Sequence, residues 1–94
     1  MLLCLDIGNT NIKLGLYNED HLVTRWRIAT DVNKLADEYA VLMLSLFDTE
    51  GINKAGIEGC AISSVVPELT TAFKDLVRRH LGIDPVIVGE VRHP

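Results

Sequence analysis

The sequence predicts an α/β fold built on a mixed five-stranded sheet, with its elements in the order β-β-β-α-β-α-β. Three observations carry this prediction. Residues 2–28 contain three apolar or alternating runs divided by turn residues, two later stretches repeat apolar residues at the helical period, and a short apolar run follows each of them. Ninety-four residues make at most one domain, spanning 1–94, that can bury roughly 60 to 65% of the surface its unfolded chain exposes. A deep two-lobed cleft would need more protein.

The first strand is the nearly unbroken apolar run from Leu2 to Ile7, a pattern expected of a central strand covered on both faces. In the second, Ile12, Leu14 and Leu16 alternate with Lys13, Gly15 and Tyr17, and the polar tetrad Asn18-Glu19-Asp20-His21 then reads as a hairpin turn. His21 belongs to that turn as a solvated side chain. Leu22, Thr24, Trp26 and Ile28 alternate with Val23, Arg25 and Arg27, giving a third strand whose charged face suits a sheet edge. These three strands form an antiparallel meander.

The first helix has Asp31 or Asn33 as its candidate cap, with Asp37 and Glu38 at the positive end of its dipole. Leu35, Tyr39, Leu42, Met43, Leu46 and Phe47 form its core stripe, and Gly51 stops it. Gly59-Cys60-Ala61-Ile62-Ser63 reads as a fourth strand. Pro67 opens a second helix with Leu69, Phe73, Leu76, Val77 and His80 or Leu81 on its inner face, and Gly82 ends it. Arg78, Arg79 and His80 complement the dipole of its last turn and need no nucleic acid to explain them. Pro85 to Gly89 gives the fifth strand.

Right-handed crossovers would set strands one, four and five parallel, which is the ribonuclease H-like arrangement. Ligands of open α/β sheets collect at the carboxyl ends of parallel strands, so Asp6 and Ser63-Ser64 should lie close together. Ser63 and Ser64 also suit the cap of the helix that Pro67 opens.

The segment Asp6-Ile7-Gly8-Asn9-Thr10-Asn11-Ile12-Lys13 is where this chemistry concentrates. A carboxylate at the end of a core-type run calls for a partner, and a divalent cation is one. Hard cations such as magnesium take one or two carboxylates together with phosphate oxygens and water. Gly8 permits a tight turn or close approach to a ligand, Asn9 tolerates unusual backbone angles, and Thr10 offers a hydroxyl to a phosphate oxygen. Consecutive amide N–H groups make an anion-binding nest, and Lys13 adds positive charge near a terminal phosphate. An ordinary hairpin turn favours the same residue types, so spacing alone leaves both readings open.

Nine basic against 13 acidic residues, net −4, disfavour a nucleic-acid or anionic-membrane surface. No run reaches the length of a membrane span, and Met1-Leu2-Leu3 lacks the basic start and cleavage site of a signal peptide, which points to the cytoplasm. Cys4 and Cys60 fall in apolar runs without metal-type spacing and are expected to be buried reduced thiols.

Asp6-Ile7-Gly8-Asn9-Thr10-Asn11, Trp26-Arg27-Ile28-Ala29-Thr30-Asp31, Ala36-Asp37-Glu38-Tyr39 and Ser63-Ser64-Val65-Val66-Pro67, in that order, resemble the beginning of type III pantothenate kinases. That resemblance covers this whole chain but only the N-terminal part of the family, whose members hold two ribonuclease H-like halves of the actin-type kinase superfamily. It implies ATP-dependent phosphorylation of pantothenate toward coenzyme A, with magnesium, a monovalent cation (potassium or ammonium), and a homodimer or a C-terminal half as partner. It makes Asp6 through Lys13 the first phosphate-binding segment, with Asp6 as the metal residue. The family's catalytic aspartate lies in a Gly-Ala-Asp-Arg motif that would come after Pro94, so no residue here is carried over as the general base. Where the family continues with a Pro-Gly turn, this chain has Glu90-Val91-Arg92-His93-Pro94.

The expectation is an N-terminal half that is inactive alone. A non-catalytic interaction module that keeps the fold is the alternative. A ribonuclease H-type nuclease ranks lower, because Ser63 and Ser64 stand where two-metal chemistry wants another carboxylate.

Overall fold

The computed structural model describes residues 1–89. In chain order it contains β1 (Leu2–Ile7), β2 (Asn11–Asn18), β3 (His21–Ala29), α1 (Ala36–Thr49), a 3-10 turn (Lys54–Gly56), β4 (Gly59–Ser64), α2 (Pro67–Leu81) and β5 (Val86–Ile87). The predicted order is present, with one short addition. The 3-10 turn is held by the Asn53 side chain, whose Oδ1 accepts from the Ala55 N–H at 3.0 Å. Residues 90–94, where the sequence departs from the expected Pro-Gly turn, lie outside the described residues.

The strands are ordered β3-β2-β1-β4-β5. The β1–β2 and β2–β3 pairs are antiparallel, while β4 lies parallel to both β1 and β5. This is the mixed sheet the element order predicts, with β3 at an edge.

Strand pleating decides which side chains meet the helices. Leu3, Leu5 and Ile7 of β1 and Ile12, Leu14 and Leu16 of β2 are buried, together with Cys60 and Ile62 of β4. Both helices join that face: Tyr39, Ala40, Met43 and Phe47 of α1 and Leu69, Phe73, Leu76 and Val77 of α2 complete the core. Tyr39 and Phe73 meet with ring centroids 5.0 Å apart, and Phe47 reaches Trp26 of β3 at 5.5 Å. Tilted pairs at such distances add to what burial contributes.

The opposite face of the sheet has no helix over it among the described residues. Leu2 and Asp6 are exposed and Cys4 is half-buried, so β1 alternates rather than lying buried on both sides as its composition predicts. An apolar run reads as doubly covered because composition records no cover, only its suitability for one.

The helix starts also differ from expectation. Leu35, not Asp31 or Asn33, occupies the N-cap of α1, and Glu38 closes the turn by accepting from the Leu35 N–H at 2.9 Å. Asp31 instead accepts from the Asn33 N–H at 2.9 Å, a local turn two residues ahead. Leu35 at 68% and Leu42 at 37% exposure fall outside the core stripe, and Ala40 is buried in it instead. The expected terminators hold, since Gly51 and Gly82 both adopt φ 68°.

Candidate functional site

Register brings the charged residues together. Asp6 lies opposite Lys13 on β2 and opposite Ser63 on β4, and Lys13 lies opposite Arg27 on β3. Directly opposed residues share a sheet face. Arg27, Lys13, Asp6 and Ser63 therefore form one row across four strands on the open face, and all four are exposed. With Arg25, two residues along β3, they line an open groove of about 680 Å³. Asp6 is thus an exposed carboxylate facing a groove, not the desolvated acid its apolar neighbours imply.

The predicted segment divides by pleat into three parts. Asp6 and Lys13 line the groove. Ile7 and Ile12 have 0% exposure within the core, which confines any part they take in a ligand site to backbone. Gly8 to Asn11 make the connection between β1 and β2. There the Gly8 N–H donates to the Asn11 carbonyl at 2.9 Å, and the Thr30 N–H donates to the Thr10 carbonyl at 2.9 Å. A Cβ on Gly8 would stand 3.1 Å from the Asn11 oxygen, so the glycine serves close approach. No left-handed residue is used in this turn: Glu19 is the non-glycine residue with positive φ among those described, so the tolerance of Asn9 for such angles is not drawn on. Among the described residues the Asn9 and Thr10 N–H groups have no protein acceptor.

A chain of hydrogen bonds fixes this turn to the core. The Thr30 hydroxyl donates to the Gly8 carbonyl at 2.7 Å. The next residue, Asp31, donates its N–H to the Tyr39 hydroxyl and accepts that hydroxyl's proton at its carbonyl, each at 2.8 Å. Tyr39 is a core residue, as its place on the helical stripe predicts, with its polar end satisfied. The supporting part of Thr30, and that of Arg25 and Arg27 in the groove, depends on strand register and was not read from the sequence. Arginine at alternate positions of β3 was the available signal.

The two serines separate. Ser64 Oγ accepts from the Val66 N–H at 3.0 Å and donates to the Val66 carbonyl at 3.1 Å, organising the entry to α2. Ser63 faces the groove. The cysteines lie on opposite faces of adjacent strands, since Cys4 is opposed to Ala61 and Cys60 to Leu3. Both are free thiols, Cys60 buried and Cys4 half-buried in the groove wall. Burial, with the Cys4 charge beside it, pushes the Cys60 thiol up to about 12, and burial also raises Cys4.

No group of three His, Cys, Asp or Glu side chains able to hold a metal ion exists among the described residues. Asp6 is the acid of the groove, and it has no protein hydrogen bond or ion pair among those residues. A single unpartnered carboxylate beside free N–H donors fits magnesium carried on phosphate oxygens, and does not fit a multi-carboxylate metal cluster.

A sequence model of type III pantothenate kinase matches residues 2–94. Over 89 residues the chain is 51% identical to the type III pantothenate kinases of Roseiflexus sp. (strain RS-1) and Roseiflexus castenholzii, and 44% identical to that of Exiguobacterium sp.. In each case 95% of this chain aligns with 35% of the relative, so the chain spans about a third of the length of the curated relatives it matches. Among solved structures it is similar to a Porphyromonas gingivalis protein provisionally assigned as an N-acetylglucosamine kinase, with a TM-score of 0.67 at 15% identity over 93% of this chain and 33% of that one. It is also similar to YeaZ from Pseudomonas aeruginosa, with a TM-score of 0.60 at 17% identity over 93% of this chain and 43% of that one. At these identities the likeness shows the fold alone, the ribonuclease H-like arrangement that the element order predicts.

Proposed function

This chain belongs to the type III pantothenate kinase family, and from that we propose that it supplies the first phosphate-binding wall of an enzyme that phosphorylates pantothenate with ATP, toward coenzyme A. The observation that carries the reading is the juxtaposition of Asp6, Lys13 and the Gly8–Asn11 turn at the carboxyl end of β1, where open α/β sheets collect ligands. Asp6 holds magnesium directly or through water. When bound, that ion neutralises charge on the phosphate oxygens. The Asn9 and Thr10 N–H groups and the Thr10 hydroxyl donate to the phosphate chain, and Lys13 places positive charge beside its end. The backbone of Ile7 and Ile12 frames the turn, with Asn11 closing it.

Phosphoryl transfer depends on positioning and on charge stabilisation around the whole phosphate chain. One wall provides part of this, so residues 1–94 act as one phosphate-binding domain that is inactive alone. The general base, the monovalent cation site (potassium or ammonium) and the adenosine contacts belong to the remainder of a family-length protein, which works as a cytoplasmic homodimer. No helix among the described residues is long and apolar enough to cross a membrane.

The test is a titration of ATP and magnesium into the chain, followed at its backbone amides. Shifts centred on residues 6–13 that vanish in Asp6→Asn support the reading, and shifts confined to other residues overturn it. A turnover assay with ATP, magnesium, potassium and pantothenate should give no product from this chain by itself. Product would refute the need for a second wall.

A second reading, a module that acts by association, is favoured by one observation. Leu2, Leu22, Val86 and Val88 are between 43% and 59% exposed on or beside the open sheet face. Parallel strands are seldom left uncovered, so this face is suited to being covered. The nuclease reading has no carboxylate cluster to support it among the described residues.

A further inference from the structure

The open groove gathers more positive charge than a turn with one lysine needs. Lys13, Arg25 and Arg27 all line it, three of the chain's nine lysines and arginines, against Asp6 as the single acid of its wall. The chain as a whole is acidic, at net −4.

Lys13 and Arg27 are directly opposed on antiparallel strands. Such Cα atoms lie about 4.5–5.5 Å apart, and like charges in that relation destabilise a sheet. Nothing within the described residues offsets the pair fully. Arg78 and Arg79 have carboxylate partners in Asp84, Asp37 and Asp75, whereas none of the ion pairs among the described residues involves Lys13, Arg25 or Arg27. Arg25 is opposed to Gly15, which brings no side chain of its own into the groove beside it. The sheet therefore holds three cations against one carboxylate around a concave surface, none of the three in an ion pair among the described residues, at a cost in stability. Guanidinium groups so placed offer paired N–H donors in the geometry that oxyanions accept.

We propose that Arg27 and Arg25, together with Lys13, form an oxyanion subsite on the open sheet face, which binds a phosphate group further from the Gly8–Asn11 turn than the metal-bearing one. The inference deepens the phosphate reading of this face and rests on it. Lys13 is shared by the two subsites: it lies between Asp6 and Arg27 in the same row. A phosphate chain lying along that row meets the Asp6 metal position first and the arginines last. The occupant is a polyphosphate-type anion, whether free or as the tail of a nucleotide.

The experiment uses inorganic pyrophosphate as probe, titrated into the chain with and without magnesium by calorimetry. Arg27→Gln, the double variant Arg25→Gln/Arg27→Gln, Arg27→Lys and Asp6→Asn are compared with the unaltered chain, and the unfolding midpoint of each is measured without ligand. Arg27→Gln is expected to weaken pyrophosphate about tenfold or more, the double variant further, and Arg27→Lys to recover part of the loss. Without ligand, Arg27→Gln should unfold at or above the unaltered midpoint, because the opposed like charges are gone. A merely structural arginine would lower it.

Unchanged pyrophosphate affinity in the double variant overturns the subsite. If Asp6→Asn alone then abolishes the magnesium-dependent part, the phosphate-wall reading survives without it. Loss in the arginine variants with no effect of Asp6→Asn would uphold the subsite and remove the metal role of Asp6. Competition between ATP and pyrophosphate assigns the subsite to a nucleotide tail, and simultaneous binding assigns it to a free oxyanion. Binding of polyglutamate in place of pyrophosphate would overturn the proposal in favour of an acidic polypeptide.

Discussion

Single residues of the site differ in whether their work is structural, and stability measurements separate them. Asp6 is exposed and makes no hydrogen bond or ion pair among the described residues, so Asp6→Asn should shift the unfolding free energy by no more than about 0.5 kcal/mol while removing magnesium-dependent nucleotide binding. Thr30→Val does the reverse: it removes the 2.7 Å bond to the Gly8 carbonyl and should cost about 0.5–1.5 kcal/mol in urea unfolding. Nucleotide binding should weaken with it, because the turn loses its tie to α1 through Asp31 and Tyr39. Cys60 supplies a pH dependence. Its folded thiol is pushed up to about 12 by burial, whereas the unfolded thiol ionises near its ordinary value of 9.0. Below pH 9 the contribution is complete; above it the unfolded state binds fewer protons, and stability falls by up to about 1.4 kcal/mol per pH unit until the folded thiol also ionises. Denaturant midpoints between pH 8 and 11 should fall more steeply for the unaltered chain than for Cys60→Ala, and equal slopes would count against this origin. Residue types alone made Asp6 to Lys13 legible as a segment of interest. They did not reveal Arg25, Arg27 or Thr30, because register and tertiary hydrogen bonds join residues that local patterns keep apart.

At the scale of elements, the periodicities locate every strand and α-helix but misjudge what covers β1 and part of α1. The sequence pattern makes β1 look doubly buried because Leu2 and Cys4 are as apolar as Leu3 and Leu5, and a one-faced strand of this composition carries no alternation to detect. The α1 stripe holds at Tyr39, Met43 and Phe47 and fails at Leu35 and Leu42 for a related reason. Apolar residues surround much of this helix, so several stripes fit the period, and packing against α2 and the sheet chose Tyr39, Ala40, Met43 and Phe47. By contrast α2 is polar on its outer side, and the inner face that its period predicts, Leu69, Phe73, Leu76 and Val77, is the face it buries. The serine pair before α2 shows where sequence stops: either hydroxyl could serve the helix entry, and pleat direction gave that task to Ser64 and the groove to Ser63. Ser64→Ala should therefore cost about 1 kcal/mol in denaturant unfolding, with nucleotide binding reduced no more than that loss explains. Ser63→Ala should leave the unfolding midpoint in place. Equal destabilisation by the two substitutions would mean that the division of labour between them is wrong.

For the whole molecule, the strand order followed from the element order and the right-handed crossover, because a β-β-β-α-β-α-β chain has few ways to lay parallel strands beside a hairpin. Which sheet face remains open was not available from that topology. Both helices fall on one side, leaving Leu2, Leu22, Val86 and Val88 exposed in a chain that spans 35% of the Roseiflexus relative. Two demands meet on that face, since its cations suit an anion and its apolar rim suits protein. They are compatible if the rim is covered by the remainder of a family-length chain while the groove stays open to the ligand. The 94-residue chain by itself should then bind a hydrophobic dye and associate in light scattering. Leu22→Lys places a charge on the rim beside Arg25, outside the helix-covered core. It should reduce both dye binding and association, leave the far-ultraviolet circular dichroism unchanged, and leave pyrophosphate affinity undiminished, since it adds a cation to the groove wall. A monomeric, dye-silent parent chain would show that the rim needs no cover. Loss of pyrophosphate binding in Leu22→Lys without loss of structure would show that rim and groove are one site, and that cover and ligand compete for it.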